Sequence, residues 1–159
     1  MGKFYEGLAE ALILYVQQSA WLNTTPERAK GDKSEAPRLS RLEKIRADRK
    51  DPEFDPHMPQ VEAEYLIAYL YEIGPTVAAG MGAGPITQGE VRAWQDNTGI
   101  ELTSWEARTL RRLSCVYLAQ SHKAEKIDCP APWQPSDFKP DLSAVARAMQ
   151  NRILEMAKL

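Results

Sequence analysis

Apolar residues recur at intervals of three and four along nearly the whole chain, and no segment alternates apolar with polar as a half-buried strand would. That spacing sets the expected fold class as all-α: a small helical domain of about five to six helices, with a Gly/Pro-rich loop and a charged linker. Lys3–Leu22 places Phe4, Leu8, Leu12 and Tyr15 on one face, widened by Ala9, Ile13 and Val16. Asn23-Thr24-Thr25-Pro26 ends this helix, because Pro26 restrains the residue before it and Asn and Thr favour local side-chain bonds.

Punctuation divides the chain into four parts. Residues 1–22 form the N-terminal amphipathic helix. Residues 23–60 lose apolar content and gain charges of both signs, with Pro26, Pro37, Pro52, Pro56 and Pro59 among them, and read as a mobile charged linker. Within it, Leu39, Leu42, Ile45 and Arg46 have the spacing of a short helix over Arg38–Lys50. Residues 61–133 form the helical core, and residues 134–159 the C-terminal amphipathic helix.

The core opens with Val61–Ile73, where Tyr65, Leu66, Tyr69, Leu70 and Ile73 cover a wide face. Gly74-Pro75 and Gly80-Met81-Gly82-Ala83-Gly84-Pro85 follow, and their backbone freedom predicts a compact, tightly turned loop. Thr87-Gln88-Gly89-Glu90 and Thr103-Ser104-Trp105-Glu106 each fit the capping box, in which the Thr side chain takes a backbone N–H and the Glu reaches back. Gly99 supplies a left-handed stop between the two helices. On the second, Ala107, Leu110, Leu113, Ser114, Tyr117 and Leu118 form the buried side, with Arg108, Arg111 and Arg112 opposite. Cys129-Pro130-Ala131-Pro132-Trp133-Gln134-Pro135 cannot be helical, and Trp133 is placed to clamp the exit of the chain. Beyond it, Leu142, Ala146, Met149, Ile153 and Met156 alternate four and three apart, a two-heptad seam capped by Asp141. A lone helix of that length is marginal in water, so it must rest on the core or on a partner.

Composition excludes several classes of function. Twenty Lys+Arg against 22 Asp+Glu leave a formal charge of −2, which gives the chain no global attraction to nucleic acid or an anionic membrane. No apolar run approaches the roughly 18 residues that a span requires. The apolar stretch Ala11–Val16 invites a signal-peptide reading, but Glu6, Glu10, Gln17 and Gln18 interrupt it and the basic flank is minimal. Cys115 and Cys129 are too few for a disulfide scaffold, which points to a reducing compartment.

Catalytic patterns are missing from the sequence. His57 lies in the Pro-rich linker and His122 near a helix end, and with Cys115 and Cys129 they match no zinc spacing. The Gly80–Pro85 run lacks the Gly-Lys-Ser/Thr ending of a phosphate loop, and no strand is expected before it as a dinucleotide fingerprint requires. Ser104 and Ser114 lack the glycines of a nucleophile elbow. Glu62 and Glu64 fall on different helix faces. The chain is therefore expected to be no enzyme, with no cofactor or metal.

The arginines offer a different reading. Two capped helices joined by Gly99-Ile100-Glu101-Leu102 resemble a helix-turn-helix, whose second helix would present Arg108, Arg111 and Arg112 to DNA. Glu101 and Glu106 flank the helix start where bases would be met, and Glu90 and Asp96 dilute the basic charge. A solvated face with local ion pairs is the simpler expectation.

The stretch from Val61 to Trp133 resembles a family. Glu64-Tyr65-Leu66 and Tyr71-Glu72-Ile73-Gly74-Pro75 lead to the Gly80–Ile86 loop, followed by Glu90, Ala93-Trp94 and Thr98-Gly99. Then come Leu102-Thr103-Ser104-Trp105-Glu106-Ala107-Arg108, Leu110-Arg111-Arg112-Leu113 and Tyr117-Leu118. In their order and spacing these pieces are similar to the tail assembly chaperones of long-tailed bacteriophages and prophages. The resemblance covers just under half of the chain. It implies a factor in the bacterial host cytoplasm that keeps the tape measure protein soluble and recruits tail tube subunits, without a cofactor and absent from the finished particle. A structural tail or connector subunit retained in the virion, and a helix-turn-helix DNA binder, are the rival readings. The expected partner-binding residues are Leu142, Met149, Ile153 and Met156 on the terminal seam, and Arg108, Arg111 and Arg112. The seam could equally join two copies of the chain.

Overall fold

A computed structural model of the protein describes residues 2–135. Its elements are α1 (Gly2–Asn23), α2 (Arg41–Arg49), α3 (Glu64–Ile73), β1 (Val77–Ala79), β2 (Gly82–Gly84), α4 (Gln88–Thr98) and α5 (Ser104–Ala124). The expected C-terminal helix over 134–159, with Leu142, Met149, Ile153 and Met156, lies outside the described residues.

The two long helices set the dimensions. At 22 and 21 residues, α1 and α5 are each about 30 Å long and pack chiefly on one another. Leu12 and Val16 of α1 meet Leu110 and Leu113 of α5, all fully or almost fully buried. Leu66, Ile67 and Leu70 bring α3 into the same cluster, and Val91 adds α4. Burying one such aliphatic side chain contributes about 1.5–3 kcal/mol, so this cluster is the main cohesive element of the molecule.

The architecture is mostly helical, but it is not all-α. The glycine-rich loop is a two-stranded antiparallel hairpin, with Val77 opposite Gly84, Ala78 opposite Ala83 and Ala79 opposite Gly82. Only Gly80 and Met81 remain in the turn. Gly80 has φ of 59° at the first central position, while Met81 stays at negative φ, the pattern of a type II′ hairpin turn. The strands carry almost nothing but Ala and Gly, so they show no apolar alternation from which a strand could be read. A Cβ at Gly84 would lie 2.8 Å from that of Ala79, which leaves no room for a side chain there.

Local capping sets the boundaries of α4 and α5. Glu90 N–H donates to Thr87 Oγ1 at 3.3 Å and Thr87 N–H to Glu90 Oε2 at 2.8 Å; Thr103 and Glu106 repeat the arrangement. Gly99 closes α4 in the left-handed region at φ 72°. A third box, unnoticed in the sequence, starts α2: Glu43 N–H donates to Ser40 Oγ and Ser40 N–H to Glu43 Oε2.

The stretch between α1 and α3 is tied to the end of α5 by the Glu27 N–H, which donates to the carbonyl of Glu125 at 2.8 Å, and by the Arg41 side chain. Arg41 is 9% exposed, and its Nη1 donates to the carbonyl of Ala124 (2.7 Å) and its Nη2 to that of Lys126 (2.8 Å). A longer contact of 3.4 Å reaches the carbonyl of Trp21, whose ring lies 4.8 Å beneath the guanidinium. The C-terminal ends of α1 and α5 both present unpaired carbonyls and negative dipole ends, and one cation serves both. Desolvation lowers the Arg41 pKa from its ordinary value. The expected charged linker thus contains the helix α2 and these contacts to the end of α5.

No described helix is long and apolar enough to cross a membrane.

Candidate functional site

Aromatic side chains from four helices collect at one end of the bundle. The ring of Tyr5, near the start of α1, lies 5.1 Å from that of Trp105 in the first turn of α5. On α3, Tyr65 and Tyr69 meet edge to face at 5.6 Å, and Tyr69 continues to Trp94 of α4 at 4.7 Å. Pairs at these separations gain from the ring quadrupoles beyond their buried area. Trp94 is buried, and its Nε1 has no hydrogen-bond partner among the described residues. Tyr5 and Tyr65 remain 41% and 45% exposed.

Glu106 connects the patch to the α5 cap. One carboxylate oxygen, Oε2, accepts from the Thr103 backbone N–H at 2.7 Å and from the Thr103 hydroxyl at 2.8 Å. The other, Oε1, accepts from the Tyr65 hydroxyl at 2.8 Å. Partial burial works to raise the Glu106 pKa, and the hydrogen bonds from the Thr103 backbone, Tyr65 and the Thr103 hydroxyl overcome it, holding the group below its ordinary value. Desolvation and the adjacent Glu106 carboxylate push the Tyr65 phenol up to about 12. The consequence is geometric: Tyr65 is fixed in direction while nearly half of it faces water. Beside it, between α1 and α3, a cleft of about 450 Å³ is lined by Tyr15, Val61, Glu64, Tyr65, Ile67 and Ala68.

The hairpin presents a second apolar feature. Met81 stands fully exposed at its tip. Its base is held by the buried Ser114 of α5, whose hydroxyl accepts from Ile86 N–H at 2.8 Å and donates to the carbonyl of Pro75 at 2.7 Å. One hydroxyl thus fastens both legs. In the sequence Ser114 reads only as a small residue on the buried side of a helix.

The three arginines do not form one free face. Arg108 is exposed and turns back to the carbonyl of Ser104 in its own helix at 3.1 Å. Arg111 is half-buried, with Nε donating to the carbonyl of Ile86 at 3.3 Å, so it braces the hairpin exit. Arg112 is exposed. Among the described residues the ion pairs join Arg28 to Asp32 and Arg92 to Asp96, and none includes these three. The start of α5, the end that a recognition helix turns toward bases, is covered by Tyr5 and by the Tyr65–Glu106 bond. The terminal-seam candidates Leu142, Met149, Ile153 and Met156 lie outside the described residues.

The remaining chemistry-bearing side chains are dispersed. His57, His122 and Cys115 are exposed and Cys129 is half-buried, and no metal-holding group of His, Cys, Asp and Glu occurs among the described residues. No family model, curated protein or solved structure matches this chain.

Proposed function

We propose that this protein works by binding another protein without catalysis, and that the patch of Tyr5, Tyr65 and Trp105 is its principal contact. The observation that supports this most directly is the Tyr65–Glu106 hydrogen bond, which fixes an exposed aromatic ring in place. Tyr and Trp dominate binding hot spots, and a ring already held in its bound direction loses little entropy when a partner arrives. The resemblance of residues 61–133 to phage tail assembly chaperones supplies the partner: the tape measure protein or the tail tube protein, met in the cytoplasm of a bacterial host.

A tape measure gene immediately downstream of this one would support the reading and its absence would weaken it, and co-expression with that tape measure protein tests it. Soluble yield of the tape measure protein should rise and the two should co-purify, and Tyr65→Ala should weaken the complex about tenfold or more, as hot-spot tyrosines do. Unchanged solubility together with no co-purification would remove the chaperone reading. Stoichiometric amounts of the chain in purified virions would favour a structural subunit instead.

A further inference from the structure

The cleft between α1 and α3 is walled by two parts of the chain that contain no Lys or Arg. Residues 5–23 hold Glu6 and Glu10, and residues 51–91 hold seven Asp and Glu, with His57 as the one titratable base in either span. Most of the lining is apolar or aromatic: Val61, Ile67 and Ala68 with Tyr15 and Tyr65, beside the single carboxylate of Glu64. Burial, and then the charges of Asp55 and Glu64, raise the Tyr15 phenol above its ordinary value, so both carboxylates act on this space.

Nothing in the described part of the molecule answers that charge. The ion pairs there, Arg28 with Asp32 and Arg92 with Asp96, leave Asp55 and Glu64 out. Arg46 and Arg49 reach the residue before Asp55, but the first binds the carbonyl of Phe54 and the second lies over the Phe54 ring. Arg108, the first basic residue of α5, turns back to the carbonyl of Ser104. The cation–ring contacts among the described residues are Arg41 on Trp21 and Arg49 on Phe54, and neither involves Tyr15 or Tyr65.

We propose that this cleft receives an arginine side chain of the partner protein, with its stem on Val61, Ile67 and Ala68 and its guanidinium between Glu64 and the rings of Tyr15 and Tyr65. The inference rests on the reading that the chain binds a protein through the Tyr65 patch, and it adds what that partner brings. Charge complementarity selects the occupant. An acidic segment would be repelled by Asp55 and Glu64, and a purely apolar one would strip water from Glu64 without replacing it. Arginine suits the lining better than lysine, because a guanidinium is flat, weakly hydrated, stacks on aromatic faces and pairs with a carboxylate through two parallel bonds. Tyr65 is a fixed wall of the cleft, since its hydroxyl is held by Glu106 at 2.8 Å.

Titration of the full chain with N-acetylarginine amide, followed by NMR, tests this without any partner protein. Signals of Ile67, Ala68, Tyr15 and Tyr65 should move together and saturate. N-acetyllysine amide should bind about threefold more weakly or less, and N-acetylnorleucine amide should leave the signals unmoved. Asp55→Asn with Glu64→Gln, at two exposed sites, should keep the fold and weaken binding about tenfold. Raising salt from about 0.05 M to about 0.5 M should weaken it about threefold. Lining signals that ignore the arginine probe would overturn the proposal, whether or not sedimentation shows a second copy covering the cleft. Equal binding of the norleucine amide would also overturn it, as would shifts of the same size at Asp51 and Glu90, which mark a general attraction to acidic surface. The two readings fail separately. A tape measure protein that is not captured counts against the chaperone reading, whereas a captured one whose complex ignores the double variant counts against the arginine cleft alone.

Discussion

The block from Thr87 to Ala124 and the charged stretch from Thr24 to Pro59 are similar in length but reach their conformations by different routes. In the first, both helix starts and the end of α4 are set within a turn: Thr87 with Glu90, Gly99 alone, Thr103 with Glu106. In the second, α2 has its own cap at Ser40, but its place in the molecule depends on Arg41 reaching carbonyls more than 80 positions away. Residues 46–54 then fold back on α2 through Arg46 Nε on the carbonyl of Phe54 at 2.9 Å, and through Arg49 stacked 4.1 Å over the Phe54 ring. Short-range chemistry is repeated and redundant, while the long-range ties are few: the Arg41 side chain, and the Glu27 N–H on the carbonyl of Glu125.

Removing that side chain should give the largest effect. Arg41→Ala takes charged hydrogen bonds from two carbonyls, each worth about 1.5–3 kcal/mol, and the loss should fall on α2 and the helix ends. Limited proteolysis should cut at Arg28–Lys33 and Arg38 much faster than in the wild-type chain, with α4 and α5 amides still protected. Arg41→Lys should recover little, because an ammonium cannot reproduce the two-pronged contact over the indole. If the cutting rate is unchanged by Arg41→Ala, the stretch is held by other contacts and the contrast fails.

A change in the other region should be smaller and should spread differently. Thr103→Ala removes one capping oxygen from the start of α5 and costs about 1 kcal/mol. Since α5 carries much of the core, global unfolding by denaturant should register the loss in full. Thr87→Ala, on the shorter α4, should cost a similar amount in the same assay, and the two should add if the caps are independent. Strong non-additivity would mean that the two boxes are coupled through the α4–α5 turn, where Leu102 N–H donates to Gln95 Oε1 at 2.7 Å.

The same contrast explains what could be read in the sequence. Both capping boxes, the Gly99 stop and most of the α3 and α5 core residues are written in neighbouring letters, and the structure has them; Tyr65, expected on the buried face of α3, is instead 45% exposed. The hairpin was hidden because Ala78, Ala79, Gly82 and Ala83 offer no apolar alternation, leaving only the turn signal. Arg41 sits in a run of charges, where a buried cation looks like any solvated one. For the candidate site, Tyr65 and Glu106 were each legible separately, one as a core-face aromatic and the other as a cap. Their pairing spans 41 positions, and no local pattern encodes it.

Glu106 belongs to both kinds of contact at once, which makes it the finest probe of the comparison. Its folded pKa lies below the ordinary 4.5, so the unfolded chain binds this proton more readily and stability rises with pH across that window. The contribution is complete above the unfolded value and disappears as pH falls through the folded one. Glu106→Gln keeps a capping acceptor but removes the charge, so wild type should exceed it by roughly 0.5–1 kcal/mol at pH 7, with the gap closing as pH falls through the folded pKa. Tyr65→Phe separates the two roles. If the long-range bond supplies part of the depression, Tyr65→Phe should raise the Glu106 pKa seen by NMR while the Thr103 cap keeps it under 4.5. A Glu106 pKa that does not move in Tyr65→Phe would assign the depression to the local cap alone. The fixed ring of Tyr65 would then depend on its packing against Tyr69 and not on its hydroxyl.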